Sequence, residues 1–227
     1  MRNLTKNHII KFIRDKVGYF GIIGVSATSV SVIVAFFLYT SVNPTFNMLS
    51  NCVSDLGTGP NMSNIVYNLG AIITGLCQIP FYLSLVAHFQ NEKGNTFLIQ
   101  ITKLIFMVSA IGLILVGIIP FERDILIFFL GHGSAAATHY VAGSFAFLIS
   151  GFFEILILKL SKLLGIISFL TGIIYLMLWV GYLIDFIFKI PQASVNYTLQ
   201  WIGLAGILLW SLLHSLFLFK TKKGDLL

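Results

Sequence analysis

Charge is what this sequence has least of: 14 basic and 8 acidic side chains make up 10% of its 227 residues, against about 25% in ordinary soluble domains. A soluble fold needs a hydrated exterior. This chain has too few charges to cover one, while 57% of it is apolar. Cysteine is scarce as well. Cys52 falls in an expected loop and Cys77 in the middle of an expected helix, which argues against a disulfide, and two cysteines alone make no metal motif. Catalytic signatures are missing too. There is no His-Glu-x-x-His and no Gly-x-Ser-x-Gly, and the two halves show no internal repeat. No cleavable leader is expected, because the first apolar run is too long for a signal core and lacks an Ala-x-Ala exit.

What is present is long apolar runs. Six stretches, 19–39, 65–88, 97–119, 139–158, 163–188 and 199–219, each suffice to cross a bilayer, for which about 20 residues at 1.5 Å rise are needed. The sequence therefore predicts an all-α, polytopic membrane protein with six transmembrane helices in one bundle. It divides into a basic interfacial segment at 1–18, a transmembrane domain at 19–219 and a basic tail at 220–227.

The formal charge of +6 is unevenly placed. Arg2, Lys6, Lys11, Arg14, Lys16, Lys93, Lys103, Lys159, Lys162, Lys220, Lys222 and Lys223 fall on the side of the N-terminus. Arg123 and Lys189 fall on the other. The positive-inside rule then puts both termini in the cytosol, in the cell membrane. The basic ends suit anionic headgroups rather than nucleic acid. Membrane lipids are the expected partners, with a partner membrane protein or a second copy of the chain left open.

Gly21, Gly24, Thr28, Ser31 and Ala35 follow a 3-4-3-4 spacing and so share one helix face, a close-packing seam. Pro80 predicts a kink in the second helix. The inner loops at 91–95 and 159–162 are short, forcing antiparallel neighbours. The outer loops at 40–64, 120–138 and 189–198 are longer and direct attention to the outer face.

Polar residues gather there. Ser54 and Asp55 precede Gly57, Asn68 sits one turn inside the second helix, and Glu122, Arg123 and Asp124 follow the third. His132 lies in the loop, His139 at the expected start of the fourth helix, and Asp185 near the outer end of the fifth. Each has a plain structural alternative. Asp55 could close a turn or cap a short loop helix, and Glu122-Arg123-Asp124 could be a solvated run. His139 could cap its helix, His132 between two glycines could be solvated, and Asp185 could pair with Lys189. Glu154 is expected to pair with Lys159 or Lys103, and His88 and His214 to be structural. Taken together, carboxylates and histidines on one side could run acid–base chemistry or bind a divalent metal. No ligand spacing supports a metal, so no cofactor is predicted. Asn61-Met62-Ser63 and Asn196-Tyr197-Thr198 are sequons expected on the outer side.

Three short motifs resemble a known family. Asn43-Pro44-Thr45-Phe46-Asn47 leads into Asn51-Cys52-Val53-Ser54-Asp55-Leu56-Gly57, Tyr67-Asn68-Leu69-Gly70 opens the second helix, and Gly117-Ile118-Ile119-Pro120-Phe121-Glu122 precedes His139-Tyr140. The pattern resembles the prokaryotic six-span family catalogued as domain of unknown function 998. Thr45 stands where that family usually has an aromatic residue, and the loop before His139 is longer. More remotely, Ser54-Asp55-x-Gly57 is similar to the eukaryotic six-span family of autophagy modulators and lipid-remodelling proteins, which implies work on or with lipids. The leading expectation is a lipid-associated or accessory membrane protein with an outward-facing polar pocket. There Ser54, Asn68, Asp124 and Asp185 would bind. The alternatives are a membrane-embedded hydrolase or transferase acting on lipid through Asp55, Glu122 and His139, and a small-solute transporter.

Overall fold

The computed structural model describes residues 2–92, 96–122, 124–157, 161–188 and 194–224, with side chains described outside 2–17, 96, 157, 185–186, 194–195 and 221–224. Six long helices follow one another: α1 (Arg2–Thr40), α2 (Ser63–Asn91), α3 (Thr96–Ile118), α4 (Leu126–Phe152), α5 (Lys162–Phe188) and α6 (Ser194–Gly224). A short 3-10 helix, Val53–Thr58, interrupts the first loop, and a π-helical turn, Phe153–Ile157, prolongs α4. No strand occurs among the described residues. All six long helices contain a stretch long and apolar enough to cross a membrane. Helices suit this environment because each satisfies its backbone polar groups internally.

Every helix packs on its neighbours in sequence, and α6 closes back onto α1. The result is a single closed ring of six helices. Its outer face is apolar, with Val30, Phe37, Leu104, Leu126, Ile127 and Leu163 all exposed, as expected of a surface solvated by lipid tails. The small face of α1 is the seam predicted. A Cβ on Gly70 would sit 1.9 Å from Ser31 Oγ, so α1 and α2 meet where only glycine fits. The Thr28 and Thr74 hydroxyls hydrogen-bond at 2.7 Å beside it. Cys52 and Cys77 are not joined in a disulfide.

Inside the ring, the half nearer the chain termini is filled by aromatic rings. Phe81, Tyr82, Phe106, Phe147 and Trp210 are fully buried. Tyr82 stacks on Phe106 at 4.3 Å between centroids, and Phe147 meets Trp210 at 4.7 Å. The opposite half, under the first loop, contains open space lined by apolar side chains with a few polar ones among them.

Three expectations need correction. Helix α4 begins at Leu126, not near His139, so most of the expected loop 120–138 is helical. Gly131-His132-Gly133-Ser134 reads as a breaker in water, but small residues are ordinary contact residues in membrane helices. The backbone from Arg2 onward is helical and continuous with α1. Asn196 lies inside α6, buried against Gly181, so the second sequon is packed in the bundle rather than displayed on a loop. Glu154 pairs with His214 rather than with a lysine. Helix α2 runs through Pro80 without interruption.

Candidate functional site

The first loop is exposed at 41–45 and 47–50 but turns inward after Asn51. It folds back over the open end of the ring as a lid whose residues Val53 to Gly57 are all buried. The 3-10 helix starts at a capping box in which the Cys52 N–H donates to Asp55 Oδ2 at 2.9 Å, and the Asp55 N–H closes the turn on the Cys52 carbonyl at 3.1 Å. Helix α2 holds it from one side, where Asn68 Nδ2 donates to the Gly57 carbonyl at 3.0 Å and Ser63 Oγ to the Leu56 carbonyl at 3.2 Å. Helix α6 holds it from the other. The Val53 N–H donates to Gln200 Oε1 at 2.9 Å, and Trp201 Nε1 to the Asn51 carbonyl at 3.0 Å. The Gln200 amide nitrogen in turn donates to the Tyr182 hydroxyl, linking α5 to the same clamp.

Two cavities lie beneath this lid. The larger, here called the vestibule, has a volume of about 500 Å³ and is walled by the lid and by residues of α4, α5 and α6. Phe121, Phe129, Leu130, Trp179 and Leu183 make most of its surface apolar; Ser54, His132, Ser134, Tyr140, Tyr182 and Gln200 supply polar atoms. The smaller, of about 80 Å³, reaches toward the aromatic core and is lined by Thr28, Thr74, Gln78, His139, Tyr175 and Ser211 among others. Since one water needs roughly 10–15 Å³ of such space, it has room for several. Ser54, Ala136, Tyr140 and Gln200 line both, so the two cavities share a wall.

The two histidines of α4 face different parts of this interior. His139 sits mid-helix and is clasped by α3. A carbonyl only accepts, so the Ser109 carbonyl, 3.0 Å from Nδ1, assigns the ring hydrogen to that nitrogen. Ser109 Oγ reciprocates by donating to the His139 carbonyl at 3.0 Å. Nε2 is left as an acceptor for the Tyr175 hydroxyl at 3.3 Å. The two helices approach this closely because residue 112 is glycine: a Cβ there would lie 2.6 Å from the His139 nitrogen.

His132, two turns nearer the lid, is 3% exposed rather than solvated. Its Nδ1 donates to the Ile119 carbonyl at 2.7 Å, capping the end of α3, and its ring packs on Phe121 at 5.0 Å. Its Nε2 is buried and has no hydrogen-bond partner, as is Gln78 Oε1 on the wall of the smaller cavity.

The structure therefore redistributes the residues singled out from sequence. Ser54 and His139 line cavities. Asp55 and Asn68 build the lid. Glu122 and Asp124 are exposed beyond the end of α3 and line neither cavity. Asp185 lies in α5, its side chain outside the described residues, as is Arg123. Among the described residues, no group of three His, Cys, Asp or Glu is placed to hold a metal ion.

A second polar cluster, unforeseen as such, sits in the half nearer the termini. Glu154 Oε1 and His214 Nε2 are 2.8 Å apart, with both side chains 1% exposed. Ser168 Oγ donates to Glu154 Oε2 at 2.7 Å and accepts from Trp210 Nε1 at 2.8 Å. His214 Nδ1 donates to the Trp210 carbonyl at 2.8 Å, and its ring stacks on Trp210 at 4.3 Å. The π-helical turn carries Glu154 at the end of α4. The only sequence signal was the polar character of Glu154 and His214 within apolar runs, since 60 residues separate them.

Comparison with known proteins finds no matching family model, no matching curated protein and no matching solved structure.

Proposed function

We propose that this multi-pass membrane protein holds an amphiphilic molecule of the membrane in its vestibule. The volume falls in the range of small-molecule sites, about 300–1,000 Å³. The composition of the walls also fits, being mostly apolar and aromatic with a few polar atoms. The observation that carries the reading is the vestibule itself, a space of about 500 Å³ with a mostly apolar wall and polar atoms from Ser54, His132, Tyr182 and Gln200; His132 also has a buried Nε2 with no hydrogen-bond partner. Buried polar atoms are generally satisfied, and an exception calls for an explanation such as a ligand.

We assign the lid end to the outer face and the termini to the cytosol from the distribution of basic residues. Membership of the family named domain of unknown function 998 is likewise proposed on its three motifs. The lid gives those motifs a physical role, since Asp55, Gly57 and Asn68 are the residues that build and anchor it. A lipid-modifying enzyme using Asp55, Glu122 and His139 has less in its favour. Asp55 is engaged in a capping box and Glu122 lies exposed outside both cavities.

Native mass spectrometry of the protein released from nanodiscs tests the reading. The blocking variant is Gly133→Phe: residue 133 lines the vestibule, and a Cβ there meets nothing within 4 Å. The wild type is expected to retain a bound amphiphile and Gly133→Phe to lose it. Equal occupancy in the two would refute the vestibule as the site.

A further inference from the structure

Resting on the vestibule reading above, we infer that the vestibule opens sideways into the bilayer, between the lid-side ends of α4 and α5, and that its occupant is a bilayer lipid taken up through this cleft while the lid stays shut.

The cleft follows from where the two helices can approach. In the half nearer the termini they are pressed together at glycines. A Cβ on Gly151 would lie 2.8 Å from the Gly165 carbonyl oxygen, and one on Gly172 would lie 3.0 Å from the Ser144 carbonyl oxygen. Small residues allow membrane helices this closeness. Nearer the lid the contact is lost. At Gly143 the neighbour is the Tyr175 ring rather than backbone. Beyond it, a Cβ on Gly133 of α4 meets nothing within 4 Å, and Gly181 of α5 is turned toward Asn196 of α6. The two helices are joined at one end and parted at the other, and the vestibule occupies the parting.

Exposure gives the direction of the opening. Leu130, Gly133 and Ser134 of α4 and Leu183 of α5 line the vestibule and are nevertheless exposed, Leu130 at 50% and Leu183 at 39%. On α4 they continue, at helical spacing, the row of Leu126 and Ile127, which are exposed and lie outside the vestibule. On α5, Leu183 lies one turn from Val180 and next to Ile184, both exposed. The outward apolar rows of both helices thus run into the vestibule. These residues fall within the apolar spans Leu126–Leu156 and Lys162–Ile184, so the mouth meets acyl chains.

Entry from water would instead have to displace the lid. That breaks the bonds of Asn68 to Gly57, Ser63 to Leu56, Val53 to Gln200 and Trp201 to Asn51. Entry between α4 and α5 leaves all four intact.

Quenching of Trp179, which lines the vestibule, tests the route. The protein is placed in nanodiscs whose phosphatidylcholine carries bromine on its acyl chains, or in unbrominated nanodiscs with iodide in the water. Trp179→Phe supplies the background of the other tryptophans. Bromolipid is expected to lower Trp179 emission and iodide to leave it unchanged. Gly133→Phe and, separately, Ser134→Phe fill the cleft and are expected to restore the emission in bromolipid. Iodide quenching as strong as that by bromolipid would place the opening on the water side. Quenching by neither would make the vestibule a sealed cavity. Bromolipid quenching undiminished in both filled variants would put the bromine contact outside the vestibule. Each of these results overturns the bilayer portal. The vestibule reading survives them if native mass spectrometry still finds an amphiphile that Gly133→Phe loses, and equal occupancy there overturns both. The comparison of bromolipid with iodide uses wild-type protein, so it stands even if the filled variants fold poorly.

Discussion

Replacing Glu154 with leucine removes a carboxylate on which two other buried groups depend. His214 Nε2 loses its partner at 2.8 Å, and the Ser168 hydroxyl loses the acceptor of its hydrogen at 2.7 Å. At about 1–3 kcal/mol for each buried group left unsatisfied, the two together give roughly 2–6 kcal/mol. That range brackets the ~3–5 kcal/mol usual for breaking a buried pair by removing one partner. For a chain of this length the expected fall in Tm is about 2–4 °C per kcal/mol, so roughly 6–20 °C in all. The network also says which substitutions are tolerated. His214 Nδ1 is committed to the Trp210 carbonyl, so a neutral His214 offers a bare Nε2. Glu154→Gln then donates its amide to Nε2 and accepts from Ser168 with its oxygen, leaving every partner satisfied and Tm within a few degrees of wild type. Glu154→Leu combined with His214→Phe takes away both sides of the pair and should recover most of the loss, because a buried pair is replaceable by apolar groups of similar volume. Thermal unfolding followed by tryptophan fluorescence, in one detergent and at one heating rate, checks all four proteins. A Glu154→Leu protein as stable as wild type, or a double variant less stable than the sum of the two single changes, would refute the reasoning.

Close approach of α3 and α4 makes Gly112→Ala destabilising by about 1–3 kcal/mol, since the new methyl meets the backbone of His139 rather than a movable side chain. Gly133→Ala meets open space and should be neutral or stabilising by up to about 1 kcal/mol; unfolding of the two variants side by side would expose an error in either. Asn68→Ala frees the Gly57 carbonyl and should weaken the lid by about 0.5–1.5 kcal/mol, read as faster hydrogen exchange at the Gly59 amide, which bonds the Leu56 carbonyl; unchanged exchange would contradict the anchoring role. If the termini are cytosolic, a cysteine placed at Lys222 in a chain without Cys52 and Cys77 stays unlabelled by an impermeant reagent in intact cells, and labelling there would reverse the proposed orientation.

The six spans were legible because the bilayer imposes a length and a composition that few other structures share. The seam on α1 was legible for a related reason: a 3-4 spacing of small residues fixes which face packs closely. The start of α4 was not. Glycine, serine and a histidine between two glycines signal a loop where water competes for the backbone, and the same residues continue a helix where it does not. That misreading placed His139 at a helix end and His132 in solvent, when both are buried inside the bundle. The polar cluster of the first loop was visible, and a cap by Asp55 was among its readings. Its inward fold was not, because the clamp by Gln200 and Trp201 spans about 150 residues of sequence. The Glu154–His214 pair escaped for the same reason: lysines lay nearer in sequence, and only the ring closure of α6 onto its neighbours brings His214 to the end of α4.

A cryo-EM map of the wild-type protein in nanodiscs tests the central claim most directly. The account predicts an elongated density in the vestibule, running along Phe121 and Trp179. A vestibule that contains only ordered water, or one closed by side chains, would contradict it.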